Sequence, residues 1–352
     1  MSIQKRSRTD NEGTGLTGLK NLGNTCYLNS CMQIISHCQP LNQFLSNKEF
    51  RKQMNKGIDG VLLAEWDDLH DLMWSKNCII SPNRFLNVVQ KIARAKNREL
   101  FTGFIQNDFP EYLLFLMDTF HNAIKHEVEM KIEGHIVNDT DLLAKKCYEI
   151  MKNMYSKEYS PIIDIFYGIQ VSTISQDHNN NSKYLSIIPE PYCLLSLPIT
   201  GCNTIYDCLD LYCQAETMEN DNAWFNDKTG QYETVKRRTL FWSLPDILII
   251  DLKRFTNDFK KIGKKIDVPL TDLDLSRYVV GYNKSTYVYN LCGVCNHMGS
   301  CFGGHYTSFV KTSLDRNSLG VWHEFNDAQI REVSPAQIIT GNAYCLFFQK
   351  KT

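Results

Sequence analysis

The sequence predicts an α+β protein with its helices and strands segregated along the chain. Two observations carry this. Up to about residue 158 the apolar residues recur at helical spacing, and after about residue 160 short β-branched and aromatic runs alternate with polar turns. No internal repeat interrupts the two halves.

The helical half begins with a pattern over residues 25–38, where Leu28, Cys31, Met32 and Ile35 share a face. The same period returns in "DGVLLAEWDDLHDLMWS" (59–75) and in "PNRFLNVVQKIARA" after Ser81. A fourth helix is marked in "QNDFPEYLLFLMDTFHNAI". Asp108 is its expected N-cap, Pro110 lies in its first turn and Glu111 completes a capping box. Tyr112, Phe115, Leu116, Thr119 and Phe120 form the inward stripe, and a fifth helix is expected over 141–155. The strand half reads as "IDIFYGIQVSTIS", "YCLLSLPI", "LPDILIIDLKRF", "YVYNLCGVC", "HYTSFVK", "VWHEF" and "AYCLFFQK". Between them, 175–184 reads as a loop tip and 257–267 as a basic connection. Residues 1–15 read as a disordered polar tail whose "KRSR" (5–8) is a solvated charge run rather than a nuclear address.

Composition narrows the function class. Hydrophobic residues make up 43% of the chain, charged residues 22%, and the net charge is −1, so the chain suits a globular fold and offers no basic field for nucleic acid or anionic membrane. No run of about 18 apolar residues occurs, and the N-terminus lacks a secretory h-region. Thirteen cysteines, an odd number without disulfide-framework spacing, suit free thiols in a reducing compartment, the cytoplasm or nucleus.

Three of those cysteines lie in "GLKNLGNTCYLNSCMQIISHC" (18–38), where a nucleophile, a metal ligand and plain packing are all open readings. Cys26 follows "GNT", so Asn24 or Thr25 can cap the helix and place its sulfur at the positive end of the dipole, a position that favours thiolate. Cys31 and Cys38 lie further in and read as packing. Far downstream, "NHMGSCFGGHYTSFVK" puts His305 behind Gly303 and Gly304 at a strand start. A hairpin of 305–311 with 321–325 brings Asn326 and Asp327 near His305, where either could accept the Nδ1 hydrogen bond that fixes the tautomer.

The blocks "GLKNLGNTCYLNSCMQ", "FTGFIQNDFPEYLLFLMDTFH", "LPDILIIDLKRF", "HMGSCFGGHYTSFVK" and "WHEFNDAQI" resemble, in order, those of the ubiquitin-specific proteases. The resemblance implies a papain-like cysteine protease fold with a helical thumb, a β-rich palm and β fingers. It implies one catalytic domain over 16–350, with 16–158 the mainly helical thumb and 159–350 the fingers and palm. By position, Cys26 is similar to the family nucleophile, His305 to the general base and Asn326 to the third triad member, with Asp327 a second acidic position. Asn21 is similar to the oxyanion-hole amide. Gln106, Asp108, Gly303, Gly304 and Tyr306 match positions around the di-glycine tail of ubiquitin. Asp108 thus has two compatible readings, N-cap and tail contact. His297 reads as structural, and loops 258–265 and 298–303 correspond to segments that gate the tail channel.

The resemblance implies a deubiquitinase that acts through an acyl-enzyme thioester, needs no cofactor, and has ubiquitin and ubiquitinated proteins as partners; a monomer is expected. A non-catalytic ubiquitin-binding module and a protease for a ubiquitin-like modifier are the alternatives. One departure from the family concerns zinc. Of the two fingers CxxC pairs that many members carry, only Ser175 and His178 stand at the first spacing and no cysteine at the second, near "AWFNDKTG". Cys292 and Cys295 form the chain's one CxxC but point to opposite strand faces, so no metal site is expected.

Overall fold

The computed structural model describes residues 14–176, 184–312 and 320–351. Most of the polar tail, with its basic cluster, and the tip of the 175–184 loop, with His178, lie outside the described residues. Chain order runs β1 (Gly18–Leu19), α1 (Cys26–Ser36), α2 (Gln39–Ser46), α3 (Phe50–Gln53), α4 (Ile58–Ser75), β2 (Ile79–Ile80), α5 (Asn83–Ala95), α6 (Phe109–Ile124), α7 (Asp139–Tyr155) and α8 (Pro161–Phe166). Next come β3 (Gly168–Ser175), β4 (Tyr184–Tyr192), β5 (Leu194–Pro198), α9 (Ile205–Tyr212), β6 (Glu216–Met218), β7 (Trp224–Asn226), β8 (Gln231–Glu233), β9 (Val235–Ser243), β10 (Ile247–Lys253) and β11 (Leu273–Asp274). The order is completed by β12 (Val288–Ser300), β13 (Gly303–Lys311), β14 (Trp322–Asn326), β15 (Gln329–Val333) and β16 (Ala343–Lys350).

These elements form two compact units. The first comprises the chain up to Lys125, Arg254–Lys265 and Leu291–Phe347. At its centre is α1, all of whose residues are buried, as expected for a helix with no charged side chain. Leu28, Met32 and Ile35 are fully buried, and each such side chain contributes roughly 1.5–3 kcal/mol relative to exposure. The helix packs on β13, β14 and α6, while α4 packs on α5 and α6. The strands of this unit follow the order β15-β14-β13-β12-β16. Antiparallel register pairs Met298 with His305, Ser308 with Phe325, and Asn326 with Gln329. β1 pairs in parallel with β2, and the Leu19 N–H donates to the Asp327 carbonyl at 2.9 Å. That bond brings the segment before α1 beside the β14–β15 turn.

The second unit comprises His126–Lys253, Ile266–Asn290 and the last residues from Phe348. Its antiparallel sheet has the order β4-β3-β9-β6, and β5 pairs in parallel with β10. Leu143, Ala144 and Cys147 of α7 pack against Ile169, Val171 and Trp242.

Several elements depart from the periodicity reading. The fifth helix starts at Asp139 because Asn138 is its cap, and Asp141 is the N3 partner of a capping box rather than the first residue. Residues 163–166, read as the start of a strand, belong to α8, whose Ile162, Ile163, Ile165 and Phe166 are all buried. Tertiary packing there overrides β-branched propensity. A second helix, α9, lies in the strand-rich half behind a Thr204–Asp207 capping box. That signature is legible in "TIYD" and was not expected from the surrounding pattern.

Candidate active site

All the site positions named above belong to the first unit. Gly23 and Asn24 adopt positive φ of 105° and 55°, turning the chain into α1. Thr25 holds the N-cap position, but its hydroxyl accepts from the Leu22 N–H at 2.9 Å, and Asn24 donates to the Phe104 carbonyl at 2.8 Å. The side-chain cap expected of these two residues is therefore not made. Cys26 opens the helix and is 4% exposed. Burial raises its thiol pKa above the ordinary value and the Asp327 charge adds to this. The backbone N–H groups of Tyr306, Tyr27 and Cys26 itself pull the other way without reversing it. The expected depression by the helix end is present as a contribution, and desolvation outweighs it. Cys31 is also raised, well above its ordinary range, by burial alone, and Cys38 by a hydrogen bond with Cys292 and by burial.

His305 lies on β13 and Asn326 ends β14, and the ring Nε2 lies 2.7 Å from Asn326 Oδ1. With that oxygen accepting, Nε2 carries the proton and Nδ1 is the basic nitrogen. The contact expected at Nδ1 is thus made through the other ring nitrogen. β14 meets β13 from Ser308 onward, so Asn326 reaches the imidazole from beyond the paired stretch.

Asp327 does not share this contact. It sits at φ 51° in the β14–β15 turn, where Oδ2 accepts from Asn21 Nδ2 at 3.0 Å and Oδ1 from Asn29 Nδ2 at 2.7 Å. Asn21 is held at its other end too, its Oδ1 accepting from the N–H groups of Gly23 at 3.0 Å and Thr25 at 3.2 Å. Its amide orientation is therefore set, and one Nδ2 proton remains for an oxyanion. Asn29 was missed by sequence reasoning. Its signal was an amide three residues after Cys26 that shares a face, at helical spacing, with Gln33 and Ser36 on a helix without charged side chains.

Around the glycines, Gln106 Oε1 accepts from the Gly304 N–H at 2.8 Å while its Nε2 donates to the Gly304 carbonyl at 3.1 Å. Gly303 has φ 157°, and a Cβ there would lie 2.6 Å from Gln106 Oε1. A Cβ on Gly304 would lie 2.4 Å from His297 Nε2 and from the Met298 carbonyl. Asp108 stands at the N-cap of α6, but its carboxylate accepts from the Tyr306 hydroxyl at 2.8 Å and the Tyr344 hydroxyl at 3.1 Å. The expected capping box with Glu111 is not formed, because those hydroxyls take the carboxylate. Burial raises the Asp108 pKa, and the two hydroxyls oppose it. His297 is buried, its ring centroid 4.7 Å from that of Tyr306, and burial lowers its pKa to about 4. Buried Arg254 pins the 258–265 loop by donating to the carbonyls of Ile262 and Lys264, both at 2.8 Å. Phe259 and Phe302, one on each gate-like loop, bring their rings to 5.8 Å.

Among the described residues no cluster of three or more His, Cys, Asp or Glu could hold a metal. At the second fingers position, Asn226 and Thr229 each donate to Glu233 at 2.8 Å. No described helix is long and apolar enough to cross a membrane.

A thiol thus stands at the start of α1, and an imidazole–amide contact lies between β13 and β14, the two strands on which that helix packs. The structure is similar to the SAGA DUB module Ubp8/Sgf11/Sus1/Sgf73 bound to monoubiquitin, with TM-score 0.74 and 20% identity over 100% of this chain and 72% of that one. The module bound to ubiquitin aldehyde is similar at TM-score 0.73 and 21% identity, over 98% and 71%. In sequence, the chain is 30% identical over 348 residues to ubiquitin carboxyl-terminal hydrolase 2 of Homo sapiens, covering 95% of this chain and 55% of that protein. It is 29% identical to ubiquitin carboxyl-terminal hydrolase 21 of Homo sapiens, covering 96% and 62%. The family model of ubiquitin carboxyl-terminal hydrolases matches residues 17–348. The chain belongs to that family, in its ubiquitin-specific protease branch. It spans little more than half the length of the first of these curated relatives.

Proposed function

We propose that this chain is a cysteine deubiquitinase that hydrolyses the isopeptide or peptide bond after the C-terminal Gly-Gly of ubiquitin. The observation that carries the reading is the His305 Nε2–Asn326 Oδ1 contact of 2.7 Å beside a thiol that takes the Tyr306 N–H. Asn326 holds the ring so that Nδ1 takes the Cys26 proton, and the thiolate attacks the terminal glycine carbonyl. The oxyanion forms against the spare N–H of Asn21 and the backbone N–H groups at the start of α1, a type of donor typically worth about 2.7–4 kcal/mol. His305 then protonates the leaving lysine amine, leaving a thioester on Cys26, and water hydrolyses it with His305 again as base.

Residues 16–350 would act as one catalytic domain, as a monomer without a cofactor. The partners are ubiquitin and ubiquitinated proteins, and Asp108, Gly303, Gly304 and Tyr306 would border the tail. All thirteen cysteines are free thiols, which supports a cytoplasmic or nuclear setting. The test is ubiquitin bearing a C-terminal thiol-trapping electrophile, run beside Cys26→Ala and matched ubiquitin-like probes. A covalent adduct on the wild type that is lost in Cys26→Ala is expected. No adduct refutes the enzyme, an adduct persisting in Cys26→Ala refutes the nucleophile, and preference for a ubiquitin-like probe moves the substrate.

A further inference from the structure

We propose that Gln106 is a positioning residue for His305 and Cys26 rather than a contact for the substrate tail. The proposal rests on the active-site reading above, and a strand edge carries it. In an antiparallel strand the N–H and C=O of one residue point to the same side, where a neighbouring strand would meet both. β14 covers β13 only over Ser308–Lys311, so at Gly304 that edge has no strand partner. The Gln106 carboxamide takes its place, with its oxygen on the Gly304 N–H at 2.8 Å and its nitrogen on the Gly304 carbonyl at 3.1 Å. A single side-chain amide thus stands in for the missing peptide group.

Two residues on, Asp108 takes the Tyr306 hydroxyl at 2.8 Å. The short segment before α6 therefore grips β13 at Gly304 and at Tyr306, and His305 is the residue between the two grips. Tyr306 also supplies the backbone N–H that faces the Cys26 sulfur. Loss of the Gln106 grip leaves the strand start that carries both His305 and that N–H held at this level by β12 along one edge only. Gly303 belongs to the same device: its φ of 157° and the 2.6 Å clearance leave room for the carboxamide only when no Cβ is present. With its oxygen and one amide proton committed, Gln106 has little left to offer a passing peptide.

Gln106→Ala removes both bonds, and Gln106→Met keeps the side-chain volume without its polar groups, which guards against a variant that fails to fold. Two measurements separate the roles: kcat and KM on a ubiquitin C-terminal fluorogenic amide, and the rate of Cys26 alkylation by iodoacetamide without ubiquitin. The expected result is a kcat loss on the order of tenfold to a hundredfold with KM held, and a parallel slowing of alkylation. A raised KM with kcat and alkylation unchanged would make Gln106 a tail contact and overturn the proposal; no change in any of the three would overturn it as well. The alkylation arm needs no ubiquitin. If the ubiquitin probe fails on the wild type, the substrate reading falls while the positioning role is still decided.

Discussion

Replacing Asp327 by Asn tests the site where it is most specific. The carboxylate accepts from Asn21 Nδ2 at 3.0 Å and from buried Asn29 Nδ2 at 2.7 Å, so both of its oxygens face amide donors. An asparagine in its place can satisfy one donor with its oxygen and must set its own NH2 against the other. Asn29 Nδ2 then keeps only its longer contacts, both 3.3 Å, to the Leu19 and Lys20 carbonyls, and losing its bond to the charged oxygen costs roughly 1.5–3 kcal/mol of stability. Releasing Asn21 costs catalysis instead, up to the 10²–10³-fold in kcat that loss of an oxyanion donor typically brings, roughly 2.7–4 kcal/mol. The thiol responds in the opposite sense. The Asp327 charge raises the Cys26 pKa, so removing it lowers that pKa, and iodoacetamide alkylation near neutral pH should hold or quicken. The assay pairs steady-state hydrolysis of a ubiquitin fluorogenic amide with ubiquitin-free alkylation and thermal unfolding. If Asp327→Asn keeps full kcat, the carboxylate is dispensable and the oxyanion argument is refuted; if it loses kcat together with alkylation, Asp327 acts on the thiol–imidazole pair instead, and the argument is refuted as well.

Three further outcomes follow from the same geometry. Asn326→Ala should lower kcat by up to about 10⁴-fold, the scale seen when an imidazole loses its tautomer-fixing partner, and should shift the pH profile of Cys26 alkylation, whereas a mere packing role would leave that profile in place. His37 and His297 are lowered by burial from 6.5 to about 4, so between those values the unfolded chain holds one more proton at each site. Stability therefore rises with pH across that window and is lost as pH falls below 6.5, by about 1.4 kcal/mol per pH unit for each histidine, which urea titrations from pH 7 to 4.5 would read; a flat curve contradicts the burial argument. Incubation with a strong chelator should leave the unfolding temperature and the activity unchanged, because the fingers position offers Asn226, Thr229 and Glu233 in place of a cysteine pair; a chelator-induced drop in unfolding temperature would reveal a structural metal.

Much of the candidate site was legible in the sequence because the residue types proposed for it stand in short local stretches. A cysteine after "GNT", a histidine after two glycines and an asparagine at a strand end are each recognisable within a few residues. The segregation of helix and strand was equally local, since period 3.6 and period 2 are properties of consecutive side chains. What failed locally was propensity against packing, at 163–166, and capping, where Thr25 and Asp108 turned their oxygens to partners other than the helix N–H groups they precede.

Tertiary structure alone decided the rest. That Asn326 meets the His305 imidazole depends on how β14 ends against β13, and the two residues are 21 positions apart. The pairing of Asp327 with Asn21 and Asn29 spans about 300 positions, and only the β14–β15 turn folded against the segment before α1 creates it. The net rise of the Cys26 pKa is likewise a property of the packed site, since the helix end that favours the thiolate is encoded locally and the desolvation that outweighs it is not. The sequence determined which groups the site holds. Close packing determined which atom of each group faces which partner, because hydrogen-bond direction and desolvation act through space.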